Sequence, residues 1–288
     1  MTQTAPPRWR VDLSLVAVAL IWGMTFVLVK AALAHISTLL FLTIRFLLAA
    51  IVLVLMYGRR IQFPRIIQTL RIGALAGVCL FAGYILQTFG LRFTTAGKAG
   101  FLTGLYIPLV PLLAVAIYRK LPLMSEIAAV LVAFCGMALI GFEPGTLRMG
   151  LGDFLIVLCA VAFAFHILVL GHFAKTADVP GLTIAQIGMG ALIGAGSFWW
   201  VEPVQANFPP IVWIALLVTS LLATALAFAL QTWAQSYTSP TRTALIFSLE
   251  PVFALLVSWK FTGEVLTVRA AVGAVLILAS ILLVELKR

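Results

Sequence analysis

Glu250 stands deep in an apolar run that opens at Pro240, directly before Pro251. A carboxyl group at that depth in hydrocarbon is expensive, which marks it for function. It can bind a substrate ammonium, or take up a proton and couple transport to a proton gradient. The alternative is a neutral acid tied to Arg45 or to the carbonyl that Pro251 leaves unpaired one turn earlier. His166 lies in another apolar run and is either a second proton site or a hydrogen-bonded structural histidine. Arg45 can bind a carboxylate, but its place roughly 10 Å from one end of its segment favours snorkelling or a structural ion pair.

Uncharged polar and aromatic groups accompany these three. Thr103 and Tyr106 share a helix face by their spacing. Tyr84 sits on the stripe of Gln87, and Phe228 on the stripe of Gln231 with Thr224 and Gln235. The two glutamines are expected either to bridge helices across the two-fold axis between the halves, as structural glue, or to bind substrate. Trp22 shapes a cavity wall or packs. Together Trp22, Tyr84, Gln87, Thr103, Tyr106, His166, Phe228, Gln231 and Glu250 form the candidate substrate cavity, with Glu250, His166 and Arg45 as candidate coupling or ion-pair residues.

Chemistry of bond making is not indicated. His35, His166 and His172, and Cys79, Cys135 and Cys159, lack the spacing of a metal site or of a nucleophile with its base. No Walker sequence is present. Neither an enzyme, a metal nor a cofactor is therefore expected.

The elements that position these residues follow from composition. With 63% hydrophobic and 10% charged residues, and a mean hydropathy of +1.17, the chain departs from soluble domains, where about 25% of residues are charged. A net charge of +10 raises nucleic acid as a partner, but the cations are spread over short loops, as membrane orientation requires. A bilayer core needs about twenty apolar residues per helix. Ten segments meet that length: Val11 to Leu33, Thr38 to Tyr57, Leu70 to Leu91, Ala96 to Ile117, Met124 to Phe142, Gly150 to Phe173, Gly181 to Val201, Pro210 to Gln235, Pro240 to Lys260 and Thr267 to Leu286. The first is read as a retained helix, not a cleaved leader.

The stretch Gln87 to Pro108 returns as Gln231 to Pro251, an offset of 144 residues, half of the chain's 288. Gln87, Thr88, Thr94 and Leu105 recur unchanged; Thr95 becomes Ser239, and Lys98 becomes Arg242. Thr95 and Ser239 are N-caps, with Pro240 at the first helical position. At the same offset Tyr106 answers to Glu250, and Trp22 to His166. Lys98 and Arg242 oppose the helix dipole, so their recurrence needs another reason, a lipid phosphate or a gate ion pair. Five helices per half is an odd number, so residues 1–144 and 145–288 form an inverted repeat. Arg8, Arg10, Arg59, Arg60, Arg65, Arg71, Arg119, Lys120, Lys175, Arg242, Lys287 and Arg288 outnumber Lys30, Arg92, Lys98, Arg148, Lys260 and Arg269 across the expected membrane, which places both termini in the cytoplasm. Glycines at Gly73 to Gly77 and Gly188 to Gly196 mark close helix packing or a hinge.

These features resemble the drug/metabolite transporter superfamily, in particular bacterial EamA-type exporters. The resemblance rests on WGMTFVLVK from Trp22 to Lys30, Arg45 with Phe46, the TTAGKAGFL and TSPTRTALI turns, EPVFALL from Glu250, and GEVLTVRAAVGAVLILASILL from Gly263. It departs where Lys120 answers to Glu264 and Met189 to Arg45. It implies a cavity lined by the first, third, fourth, sixth, eighth and ninth helices, and export of small metabolites, amino acids (aromatic ones included) foremost.

The expectation is thus an all-α membrane protein of ten transmembrane helices, two inverted five-helix repeats around a central cavity. It would export amino acids across the bacterial cytoplasmic (inner) membrane by alternating access. The alternative is a broad exporter of apolar or cationic compounds, with Glu250 as charge partner inside an aromatic cage. The expected partners are a small-molecule substrate, the lipid bilayer and, as a coupling ion, the proton. A monomer can hold the whole cavity.

Overall fold

The structure is a computed structural model that describes residues 6–62, 66–119, 121–141, 149–261 and 267–286. Arg65, Lys120, Arg148, Glu264, Lys287 and Arg288, which enter the charge and repeat arguments, lie outside them.

The described residues form an all-helical bundle. Eight helices are long and apolar enough to cross a bilayer: Arg8–Ala32, Thr38–Arg60, Ile66–Phe93, Ala96–Tyr118, Leu151–Phe173, Val179–Ser197, Pro210–Gln235 and Pro240–Val257. Two shorter apolar helices, Met124–Ile140 and Val268–Leu283, take the fifth and tenth places in chain order. This is a ten-helix, multi-pass membrane protein. Observed ends differ from the expected ones by up to four residues. The third helix, for example, starts at Ile66 rather than Leu70 because apolar content alone does not place a cap.

The third helix packs along the sixth and seventh, the second against the seventh, and the fifth against the tenth. Small residues set these distances. A Cβ at Gly77 would lie 2.5 Å from the Gln186 carbonyl and 2.6 Å from Met189 Cβ, so the third and seventh helices meet nearly backbone to backbone. Gly136 and Gly273 do the same for the fifth and tenth. Gly188 and Gly196 face open space, so of the seventh-helix glycines it is Gly190 and Gly194, against Phe46, Phe81 and Thr43, that serve packing.

Among the described residues, three helices are interrupted part-way along their length. The first breaks at Met24 and Thr25, where Thr25 donates backbone and side-chain bonds to the Trp22 carbonyl. The fourth breaks between Thr103 and Tyr106, and just beyond the break Pro108 and Pro111 remove backbone donors. The ninth breaks at Ser248, with Pro251 downstream. Tyr106 therefore opens the second segment of its helix, and Glu250 lies in the first turn of the second segment of its own. For Glu250 that is the electropositive end of a helix, which favours a carboxylate.

Candidate functional site

Thr95 and Ser239 cap the fourth and ninth helices as expected, each accepting from the backbone N–H three residues on, at 3.2 Å. The caps turn Lys98 and Arg242 toward other helices. Lys98 Nζ meets Asp153 Oδ2 at 2.6 Å. Arg242 grips Asp12 with two bonds, Nε to Oδ1 at 3.0 Å and Nη2 to Oδ2 at 2.7 Å. Because successive helices run antiparallel, the two pairs lie toward opposite ends of the bundle. Asp153 lies in the first turn of the sixth helix, where the dipole supports it, and Asp12 is the fifth residue of the first helix. Neither was singled out from sequence. They are 141 residues apart, against 144 for the hairpins, so comparison at one fixed offset passed over them.

Between these ends lies a cavity with about 60 Å³ open to the centre of a water-sized sphere. That is room for a few waters. Trp22, Arg45, Tyr84, Gln87, Thr103, Tyr106, His166, Phe228, Gln231 and Glu250 all line it, together with Thr25, Phe163 and Phe247. The lining comes from the first, third, fourth, sixth, eighth and ninth helices, the six the resemblance implied, plus Arg45 from the second.

Arg45 corrects its expectation. It is 3% exposed and does not snorkel, and it belongs to neither ion pair found among the described residues. Its Nε donates to Thr224 Oγ1 at 2.8 Å, and its Nη2 to Tyr84 Oη at 3.1 Å and the Ala223 carbonyl at 3.5 Å. The guanidinium carbon lies 4.4 Å from the Tyr84 ring centroid. The eighth helix makes this possible by winding as a π-helix over Val218–Leu226. Wider turns shift backbone groups out of the α register. Here the Ala223 carbonyl accepts Trp22 Nε1 at 2.9 Å as well as Arg45. Nothing in the residue types announces a π-turn.

The glutamines also depart from expectation. Gln87 Nε2 donates to Thr103 Oγ1 at 3.1 Å, joining the third and fourth helices, whereas Gln231 Nε2 donates to Gln235 Oε1 at 2.9 Å within the eighth. They do not bridge the halves to each other, because local acceptors are nearer. Gln235 in turn donates to the Ile167 carbonyl, so it ties the eighth helix to the sixth outside the cavity. His166 Nε2 pairs with Gln186 Oε1 at 2.8 Å, and Gln186 Nε2 donates to Thr232 Oγ1 at 2.8 Å. This chain joins the sixth, seventh and eighth helices.

Aromatic rings cover much of the remaining wall. The Trp22 ring lies 5.0 Å from Phe247 and 5.4 Å from Phe228, and Tyr84 lies 5.4 Å from Phe163. Glu250 is 7% exposed, with Gly23 pressed against its backbone. A Cβ on Gly23 would stand 2.6 Å from the Glu250 carbonyl oxygen. The Tyr106 hydroxyl beside Glu250, and Gln231 Oε1, are enclosed without a hydrogen-bond partner at normal geometry.

The sequence matches the EamA-like transporter family twice, over residues 9–142 and 150–286. An uncharacterized transporter of Archaeoglobus fulgidus is 35% identical over 280 residues, 97% of this chain and 87% of that protein. The uncharacterized transporter YvbV of Bacillus subtilis is 28% identical over 292 residues, 98% and 93% of the two chains. One solved crystal structure superposes with a TM-score of 0.82 over 98% of both chains at 16% identity, a likeness of fold. An all-helical bundle with interrupted helices around a polar and aromatic cavity, matched twice along its length by one family, belongs to the EamA-like transporter family.

Proposed function

We propose that this transporter is a secondary exporter of small organic metabolites, amino acids foremost, and that it works by alternating access across the cytoplasmic (inner) membrane with both termini in the cytoplasm. The single observation that carries the reading is the cavity, enclosed within the bundle and lined from seven helices by hydrogen-bonding and aromatic groups. Lipid-facing surfaces have no use for such a lining. Alternating access requires the walls of the cavity to part toward one side and then the other. The ion pairs Lys98–Asp153 and Arg242–Asp12 close the two ends, and parting one while keeping the other is what alternation needs. Residues 1–144 and 145–288 act as inverted five-helix units. The paired caps, the paired ion bridges and the two family matches all support this division.

Transport rather than catalysis agrees with the family, and the proton is the coupling ion we assign to Glu250. A second reading, export of apolar cations, draws on Glu250 lining the same cavity as the rings of Trp22 and Phe247.

The test is uptake of labelled amino acids and of a lipophilic cation into proteoliposomes, with and without a pH gradient, for wild type and Glu250→Gln. Saturable amino-acid uptake that loses its gradient dependence in the variant is the expected result. Cation uptake alone selects the second reading, and uptake indifferent to pH and to the variant makes the protein a facilitator.

A further inference from the structure

We infer that the cavity recognises the two ends of a zwitterion, Arg45 receiving the carboxylate and Glu250 the ammonium. The inference rests on the transporter reading and adds the residues that select substrate.

Two ionisable side chains of opposite sign are buried at 3% and 7% exposure and line one cavity. Burying an ion costs several kcal/mol unless something compensates it. Mutual pairing is the cheap solution, and the structure does not use it: the ion pairs among the described residues are Lys98–Asp153 and Arg242–Asp12. Arg45 is instead held open. Its Nε and Nη2 are committed to Thr224, Tyr84 and Ala223, while its Nη1 donors have no partner among the described residues. A guanidinium fixed on one edge and free on another is a preorganised carboxylate receptor.

The other pole is rich in acceptors. An ammonium presents three donors. Glu250 offers its carboxyl oxygens, the enclosed Tyr106 hydroxyl stands beside it, and Gln231 Oε1 is an enclosed acceptor with no donor of its own. Trp22, Phe228 and Phe247 supply an apolar surface for a side chain. A cation satisfies Glu250 and leaves Arg45 uncompensated, and an anion does the reverse. A zwitterion satisfies both and brings no net charge into hydrocarbon.

The experiment uses wild-type protein in nanodiscs and measures binding of the twenty common L-amino acids, then of the N-acetyl and methyl-ester derivatives of those that bind. Tetraphenylphosphonium serves as the cationic probe. The expected result is that a free amino acid binds and that blocking either end weakens it roughly tenfold to hundredfold, the range for a lost charge-assisted bond. Glu250→Gln should then discriminate less against the N-acetyl compound while still rejecting the ester, and Arg45→Gln should do the opposite. Derivatives that bind as well as the free amino acid overturn the inference, as does the absence of any amino-acid binding. The wild-type series decides this even if a variant fails to fold. Tetraphenylphosphonium binding without amino-acid binding sinks the zwitterion and keeps the transporter; no uptake of any probe into proteoliposomes by cooperatively unfolding protein sinks the transporter reading itself.

Discussion

Arg242 holds Asp12 in a two-pronged grip, at 3.0 and 2.7 Å, across a sequence separation of 230 residues. Lys98 and Asp153 repeat the arrangement at the other end of the bundle. Each pair joins the start of a hairpin helix to the start of the first helix of the opposite half, so neither survives separation of the halves at its end.

Removing one pair should therefore bias the protein toward opening at that end. In a Thr103→Cys reporter with the native cysteines replaced, Asp12→Asn should speed labelling by an impermeant thiol reagent from the side of Asp12, and Asp153→Asn from the side of Asp153. A charge-assisted hydrogen bond contributes about 1.5–3 kcal/mol, so shifts of about tenfold are expected. Equal effects of both variants from both sides would remove the gate assignment.

Gly23 has no room for a side chain, because a Cβ would stand 2.6 Å from the Glu250 carbonyl. Gly23→Ala should destabilise the protein by about 1–3 kcal/mol, the usual range for overpacking. Transport should fall with it, as the first helix is pushed off the ninth. Thermal unfolding in detergent together with uptake measures both.

Pro251→Ala restores a backbone donor one turn after Phe247 and should heal the break at Ser248. The expected outcome is a protein at least as stable as wild type but slower in transport, since Glu250 then loses its place at a helix start. Unfolding temperature and initial uptake rate, moving in opposite directions, are the readout.

The chain His166–Gln186–Thr232 binds three helices at 2.8 Å per link. Gln186→Leu should cost about 0.6–2 kcal/mol, the range for interhelical bonds in membranes. His166→Gln, which can keep a bond to Gln186, should retain most of the uptake rate. Near-complete loss of uptake in a folded His166→Gln protein would instead give His166 the proton-carrying role.

By itself, the sequence determined what depends on composition and local pattern. Apolar runs of bilayer length specify helices, because hydrocarbon forces every backbone group to bond within its own segment. The hairpin repeat located the caps at Thr95 and Ser239, and buried ionisable types pointed to Glu250, His166 and Arg45. Tertiary structure decided where side chains with several possible partners turned. Arg45 faces inward because a π-turn in a helix 179 residues away presents Thr224 and Ala223 to it. Gln87 and Gln231 take neighbours instead of each other, since the nearest acceptor wins. The Asp partners of Lys98 and Arg242 come from remote helix starts that no local spacing connects. Helix propensity is written in neighbouring residues, but the choice among polar partners depends on which helices are brought within 3 Å, and packing of the whole bundle sets that.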